Sequence, residues 1–218
     1  MGIIERIAGT LDELTGDGDA AAREEVALAS AQAERGDVAA AEARLRDVAS
    51  RYPRLGAAPL ELGRVLMARG ALEEAVTAFG RATNLDAESA ASWTALGDAL
   101  ARLGRGEPAR EALRRALALA MDPTLRGRAL AALGRVGLDA GQTAKAARDL
   151  AKAVELLGDD PETTLAYGRA LARLGEREGG EWLTRAARRT GAPATLFIEA
   201  AAATRDPALA ERLLREGL

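Results

Sequence analysis

The sequence contains no cysteine and no histidine, and only 3% of its 218 residues are aromatic. Without cysteine the chain cannot form disulfides, and without either residue it lacks the usual ligands of protein zinc sites. Histidine is also the side chain that most often transfers protons near neutral pH, so the common nucleophile–base pairs are excluded. We therefore expect no metal site, no cofactor and no enzymatic activity.

Lysine is nearly absent too, since Lys145 and Lys152 are the only two and arginine supplies the other cations. The net charge of −3 argues against a general nucleic-acid binder. No apolar run approaches the ~20 residues of a membrane span, and the first residues lack the pattern of a secretory signal. These absences predict a cytoplasmic protein with neither nucleic-acid partners nor membrane spans, and the Arg- and Ala-rich composition indicates a bacterial source.

Alanine, leucine, arginine and glutamate dominate the sequence, and all four are strong helix formers. Apolar residues make up 48% of the chain. We therefore expect an all-α protein. Because large aromatic side chains are so few, its core must be built from Ala and Leu, and its helices must approach one another closely.

Small residues recur at a fixed interval inside the predicted helices. Gly97 has earlier counterparts at Gly63 and Ala29, each 34 residues apart, and later ones at Gly134 and Gly168. Three further columns share this spacing: Ala41, Ala75, Ala109, Ala146 and Gly180; Leu45, Phe79, Leu113 and Leu150; Val48, Ala82, Ala116, Ala153 and Ala187. The interval is 37 between the third and fourth units, at the turn formed by residues 121–123. Such self-similarity indicates stacked helix pairs, none of which buries its apolar face alone.

Glycines separate the two helices of each predicted pair. They stand at Gly36, Gly70, Gly104 and Gly141, where a residue in the left-handed conformation ends the first helix. The fifth unit departs from the pattern, because Gly180 and Thr184 replace the alanine and the large apolar residue of the second helix. Trp182 and Leu183 are the candidates to supply that packing instead.

This pattern resembles the tetratricopeptide repeat over about residues 22–190. The third unit carries the resemblance best, through Trp93, Leu96, Gly97, Leu100, Ala109, Leu113, Ala116 and Pro123. The resemblance implies a right-handed all-α solenoid of helix–turn–helix repeats that acts as a non-catalytic scaffold or adaptor for other proteins. Its implied parts are an N-terminal capping helix and loop (1–21), five repeats (22–55, 56–89, 90–126, 127–160 and 161–190) and a degenerate sixth repeat or cap (191–218).

The resemblance also implies a concave groove lined by the first helix of every repeat. The positions carried over to this chain are Leu60, Arg64, Met67, Asp98, Arg102, Arg128, Arg135, Leu138, Leu165, Arg169 and Arg173. With the flanking Asp139 and Glu162 included, this face carries six arginines against three carboxylates across the four middle repeats, a surplus of three positive charges. Guanidinium groups suit carboxylates, so the hypothesis is a groove for an acidic, partly apolar peptide or helix. The abundance of arginine throughout the chain explains the same surplus without any ligand.

The first residues leave a further alternative open. Ile3, Ile4, Ile7, Leu11 and Leu14 lie at helical spacing in an acidic stretch. This segment is either a cap on the first repeat or a ligand for the basic groove, in this chain or in a second copy. Two other functions remain possible for the whole chain: self-assembly through the terminal helices, for example as a homodimer, and a regulatory subunit that positions an enzyme.

Overall fold

A computed structural model describes residues 17–189 and 192–218, which are helical and contain no strand. Its twelve helices are α1 (Asp17–Glu34), α2 (Val38–Arg51), α3 (Ala57–Ala68), α4 (Leu72–Leu85), α5 (Ala90–Arg102), α6 (Gly106–Leu119), α7 (Pro123–Asp139), α8 (Thr143–Leu157), α9 (Pro161–Arg173), α10 (Glu178–Ala187), α11 (Ala194–Ala203) and α12 (Pro207–Glu216). They form two compact units, one ending at Arg105 and the other beginning at Gly106. The hypothesis for residues 1–16 lies outside the described residues.

Aspartate–proline pairs start three helices of the second unit. The carboxylate of Asp122 accepts a hydrogen bond from the backbone N–H of Leu125 at 2.8 Å, and Asp160 accepts one from Thr163 at 2.9 Å. Asp206 caps α12 in the same way. Each aspartate satisfies an N–H group that has no partner inside the helix, and the following proline has no N–H to satisfy.

Glycine ends the first helix of successive pairs, as the sequence predicts. Gly36, Gly70, Gly104 and Gly141 all have positive φ, between 72° and 92°. At Gly70 this conformation lets the next N–H, that of Ala71, turn back to the carbonyl of Leu66 at 2.9 Å. The turn satisfies the last carbonyls of α3 and reverses the chain into α4.

The core of each unit is built where a small residue of one helix faces a large residue of the next. A β-carbon added at Gly63 would overlap the ring of Phe79, which is fully buried. Gly134 stands in the same relation to Leu150. In the fifth pair, a β-carbon at Gly168 would lie 3.1 Å from Leu183 Cγ, so the predicted replacement packing by Leu183 is confirmed.

Two boundaries differ from the sequence interpretation. The sequence places the extra residues of the 37-residue interval in the turn at residues 121–123, but in the structure they lengthen α7. That helix has 17 residues, whereas α3, α5 and α9 have 12 or 13. The Asp122 cap explains the difference, because it starts α7 directly after the turn. Helix α1 begins at Asp17 and so includes residues for which the sequence predicts a loop, before residue 22. Asp19 pairs with Arg23 one turn later at 3.7 Å.

Arginines join the second helix pair to the first and the fifth to the fourth. Arg81 donates to the carbonyl of Ala49 at 2.9 Å, and Arg189 donates to that of Asp159 at 2.7 Å. Both acceptors lie about thirty residues earlier, near the end of the preceding repeat. The rigid guanidinium group carries five N–H donors and can reach such carbonyls while remaining hydrated elsewhere. These contacts account for part of the preference for arginine over lysine.

Candidate functional site

The predicted groove residues all lie on the first helices of their pairs. Leu60, Arg64 and Met67 are on α3, Asp98 and Arg102 on α5, Arg128, Arg135 and Leu138 on α7, and Leu165, Arg169 and Arg173 on α9. Within the first unit α3 contacts α5, and within the second unit α7 contacts α9. In both cases the first helix of one pair lies beside the first helix of the next.

In the second unit, five of the predicted residues meet at one open cavity. It measures about 250 Å³ and is bounded by Arg135, Leu138, Asp139, Glu162, Leu165, Ala166, Arg169 and Arg173. Leu138 is buried and Leu165 is half-buried. The cavity thus has an apolar floor between α7 and α9 with charged groups around its rim. Arg128, the remaining predicted residue on α7, is exposed and lies outside this lining.

Two of the rim arginines already have acidic partners. Arg169 donates from Nε and Nη2 to the two carboxylate oxygens of Glu199, at 2.8 and 2.9 Å. These hydrogen bonds raise the pKa of Arg169, against the smaller opposing effect of burial. Arg135 Nη1 lies 3.7 Å from Glu162 Oε2. Part of the positive charge counted from the sequence is therefore balanced within the fold.

Arg173 has a different environment. Its Nη1 donates to the backbone carbonyl of Leu138 at 3.0 Å, which links α9 to α7. No carboxylate of the described residues lies within 4 Å of its guanidinium group. Because a carbonyl is neutral, the charge of Arg173 remains available beside the apolar floor.

The predicted residues of the first unit are held by local contacts. Arg64 pairs with Glu61 on the same helix, and Glu61 also accepts a hydrogen bond from Ser30 Oγ at 3.2 Å. Arg102 pairs with Asp98 at 3.1 Å. Leu60 and Met67 are half-buried and pack against the cluster that contains Phe79. The sequence analysis did not identify Glu61, although its position three residues before Arg64 allows this pair.

The two tryptophans serve as packing residues. Trp182 is half-buried, and its ring lies edge-on to that of Tyr167 with 5.2 Å between centroids. Trp93 is also half-buried and donates from its indole N–H to the carbonyl of Ala87 at 2.9 Å. These contacts leave neither ring fully exposed.

The described ranges, 17–189 and 192–218, contain no cluster of three or more side chains that could hold a metal ion. Over the same part of the chain, no helix combines the length and apolar character needed to cross a bilayer.

Comparisons with known proteins agree with this architecture. Residues 63–104 match the family model described as TPR repeat, and residues 90–122 match the one described as Tetratricopeptide repeat. No curated protein sequence matches the chain. Among solved structures, the chain is similar to that of the Pseudomonas aeruginosa pilF study, with a TM-score of 0.78, 22% identity and 90% of each chain covered.

Two further structures show the same likeness. PilW, described as a widely conserved type IV pilus biogenesis factor, gives a TM-score of 0.76 at 19% identity, with 90% of each chain covered. YrrB, described as a TPR protein with an unusual peptide-binding site, gives 0.59 at 21% identity over 79% of this chain and 90% of its own. At such identities the likeness concerns the fold. The predicted class, an all-α solenoid of helix–turn–helix repeats, is confirmed.

Proposed function

We propose that the chain is a tetratricopeptide-repeat protein that acts as a non-catalytic interaction scaffold and binds an acidic, partly apolar segment of another protein. Repeat proteins of this kind present extended surfaces to their partners rather than deep catalytic clefts. The proposed site is the cavity between α7 and α9 in the second unit. The bacterial and cytoplasmic setting stays a prediction from the sequence.

The observation that carries the proposal is the position of Arg173. Its guanidinium group is exposed beside Leu138 and Leu165, and its described partner is a neutral carbonyl. A carboxylate of a bound segment would complete the pairing of Arg173, while an apolar side chain next to it would cover Leu165. Arginine forms such pairs readily because its planar fork matches a carboxylate and is weakly hydrated.

Arg169, one turn before Arg173 on α9, supports the same chemistry. Its Nε and Nη2 are held by Glu199, so the side chain is fixed while Nη1 remains outside that pair. A fixed donor loses less conformational entropy on binding than a mobile one. We therefore expect Arg169 and Arg173 to contribute together to the recognition of an acidic segment.

A set of labelled peptides tests this proposal directly. The peptides share one pattern of leucines, and the intervening positions hold Glu, Gln or Lys. We expect the Glu peptides to bind most tightly and the Lys peptides least, with affinity falling as salt is added. Fluorescence anisotropy gives the dissociation constants. Equal affinity for the Glu and Gln peptides would contradict the acidic preference.

A charge reversal at Arg173 locates the binding. In the variant Arg173→Glu the affinity for the Glu peptides should fall by about tenfold or more, which corresponds to one charge-assisted hydrogen bond. The matched control is Arg177→Glu, which makes the same change at an exposed residue outside the cavity. If both variants lose affinity equally, the loss reflects the net charge of the protein, and the proposed location of the peptide site between α7 and α9 is contradicted.

Self-association is a second candidate function, because the last helix pair exposes apolar side chains. Ile198 on α11 is 58% exposed, and Leu214 on α12 is 46% exposed. If these residues form a contact between copies, light scattering should show a mass that rises with concentration, and Ile198→Glu should abolish the rise. A constant monomer mass in the wild type would reject this candidate.

A further inference from the structure

A second cavity of the same unit lies on a different face of α7. It measures about 190 Å³ and is bounded by Arg110, Arg114, Leu117, Leu133, Gly137, Gln142, Lys145, Ala146 and Asp149, from α6, α7, α8 and the turn before α8. Gly137 occupies the position that holds Leu66 in the second repeat, so no side chain fills that part of the wall.

The residues that line this cavity carry more cations than carboxylates, although Arg110 and Arg114 also pair with Glu107 and Glu111 outside the lining. Arg110, Arg114 and Lys145 line it, against the single carboxylate of Asp149. The Arg110 side chain is only 13% exposed; its Nη2 pairs with Glu107, while its Nη1 is buried with no acceptor among the described residues. A buried donor without a partner is unfavourable, so this nitrogen requires an acceptor that the described protein atoms do not provide.

The corresponding place in the first unit shows how such a cluster is balanced. There Glu42, whose side chain is 6% exposed, pairs with both Arg46 and Arg69. Glu74 pairs with the same two arginines, at 2.8 Å to Arg46 and 3.2 Å to Arg69. Two carboxylates and two guanidinium groups thus form a closed ring with no net charge.

Two repeats later, both carboxylates of this ring are replaced by cations. With intervals of 34, 34 and 37 residues, the position of Glu42 becomes Arg110 and that of Glu74 becomes Lys145. By the same intervals, the position of Arg46 holds Arg114, and the position of Arg69 holds Ala140. The second unit therefore keeps one cation of the ring, loses the other, and has cations in place of both carboxylates.

We propose that the cavity lined by Arg110, Arg114 and Lys145 binds a small free oxyanion of the phosphate class, carrying about two negative charges. The anion takes the place that Glu42 and Glu74 hold in the first unit. Arg110 lines the cavity from α6, and Arg114 and Lys145 supply the other two cations that surround the anion. Charge-assisted hydrogen bonds from guanidinium groups to phosphate are among the strongest that proteins form.

Inorganic phosphate is the probe for the test. Isothermal titration calorimetry on the full chain should show one saturable site for phosphate, whereas chloride at equal ionic strength should show none. Arg110→Gln should weaken the binding by about tenfold or more, since it removes a charge-assisted donor. Thermal unfolding followed in the same buffers shows whether that variant is folded.

Lys145→Glu gives a second, independent reading because Lys145 is exposed and its replacement restores the residue found at Glu74. This variant should lose phosphate binding and should be more stable than the wild type in phosphate-free buffer, since the new carboxylate supplies the missing partner. The matched control is Lys152→Glu. Lys152 is the other lysine of the chain; it is exposed, lies on the same helix as Lys145, and does not line the cavity. This control should bind phosphate like the wild type.

Two results would overturn the proposal. One is the absence of saturable binding by the wild type at phosphate concentrations up to about 10 mM, an affinity too weak to represent a built site. The other is an equal response of Lys145→Glu and Lys152→Glu, which would show a general effect of phosphate on protein hydration or net charge. Either result leaves the proposal for the peptide site unaffected, because the two cavities share no residue.

Discussion

Leu150 packs against the backbone of Gly134, its neighbour across the fourth helix pair. A β-carbon at Gly134 would lie 2.8 Å from Leu150 Cδ2, closer than van der Waals contact allows. The second pair shows the same relation between Gly63 and Phe79. The small residue that recurs in the sequence is therefore the place where a large side chain of the second helix reaches the backbone of the first.

This contact predicts the effect of Gly134→Ala. Alanine favours a helix by about 1 kcal/mol over glycine, but the added carbon overlaps Leu150 and requires repacking that costs typically 1–3 kcal/mol. We expect a net loss in the free energy of unfolding of up to about 2 kcal/mol, measured by urea denaturation.

Gly80→Ala is the matched control for that measurement. Gly80 lies inside α4, and a β-carbon there would meet nothing within 4 Å. This variant should be more stable than the wild type by about 0.5–1 kcal/mol, from helix propensity alone. Changes of the same sign in both variants would contradict the close-packing explanation.

The repeat pattern made the fold largely predictable from sequence, because both the close contacts and the turns leave residue signatures. Gly63 and Gly134 mark the contacts, and Gly70 and Gly141 mark the turns. The longer α7 was not predicted. Three extra residues in the turn or three extra residues in the helix give the same interval in the sequence. The capping contact of Asp122, which starts α7 directly after a short turn, distinguishes the two.

The candidate site was less predictable for an electrostatic reason. Sequence position places Arg169 and Arg173 on one helix face, but it does not show which charge is neutralised. Arg169 is paired with Glu199, thirty residues away, whereas Arg173 donates to a carbonyl. A count of charges treats these two arginines alike, although their capacity to bind a further carboxylate differs.

Gly70→Ala tests the turn that ends α3. Gly70 has a φ of +82°, and a left-handed conformation costs a residue with a β-carbon roughly 1–2 kcal/mol. We expect Gly70→Ala to lower the free energy of unfolding by about that amount and Gly70→Asn to lower it less, since asparagine tolerates this conformation. Chemical denaturation of the two variants provides the comparison, and equal losses would contradict the assigned conformation.

Glu42→Gln tests the ion ring of the first unit. The buried carboxylate pairs with Arg46 and Arg69, and the neutral amide cannot balance either charge. Both arginines are about half exposed and keep Glu74, so we expect a loss of about 1–2 kcal/mol, less than for a fully buried pair. Glu211→Gln is the control, because its pair with Arg215 is exposed and should contribute under about 0.5 kcal/mol.

The pair between Glu25 and Arg51 links α1 to α2 and predicts a dependence on pH. Hydrogen bonds from Arg51 hold the pKa of the Glu25 carboxyl below its ordinary 4.5, against a smaller opposing effect of burial. A lowered folded-state pKa means that the pair stabilises the fold above the unfolded-state value and that this stabilisation is lost as the pH falls through the folded-state value. At neutral pH, Glu25→Gln should therefore be less stable than the wild type by a few tenths of a kcal/mol, since solvent screens the pair.

Once the pH lies below the lowered folded-state pKa, the difference between Glu25→Gln and the wild type should vanish, because the carboxyl is then protonated in both states. Glu24→Gln serves as the control, since Glu24 is exposed and has no ion pair with a described residue. It should follow the wild type at every pH in urea denaturation curves recorded from neutral pH into acid. A deficit of Glu25→Gln that persists undiminished in acid would assign the effect to packing of the side chain instead of to its charge.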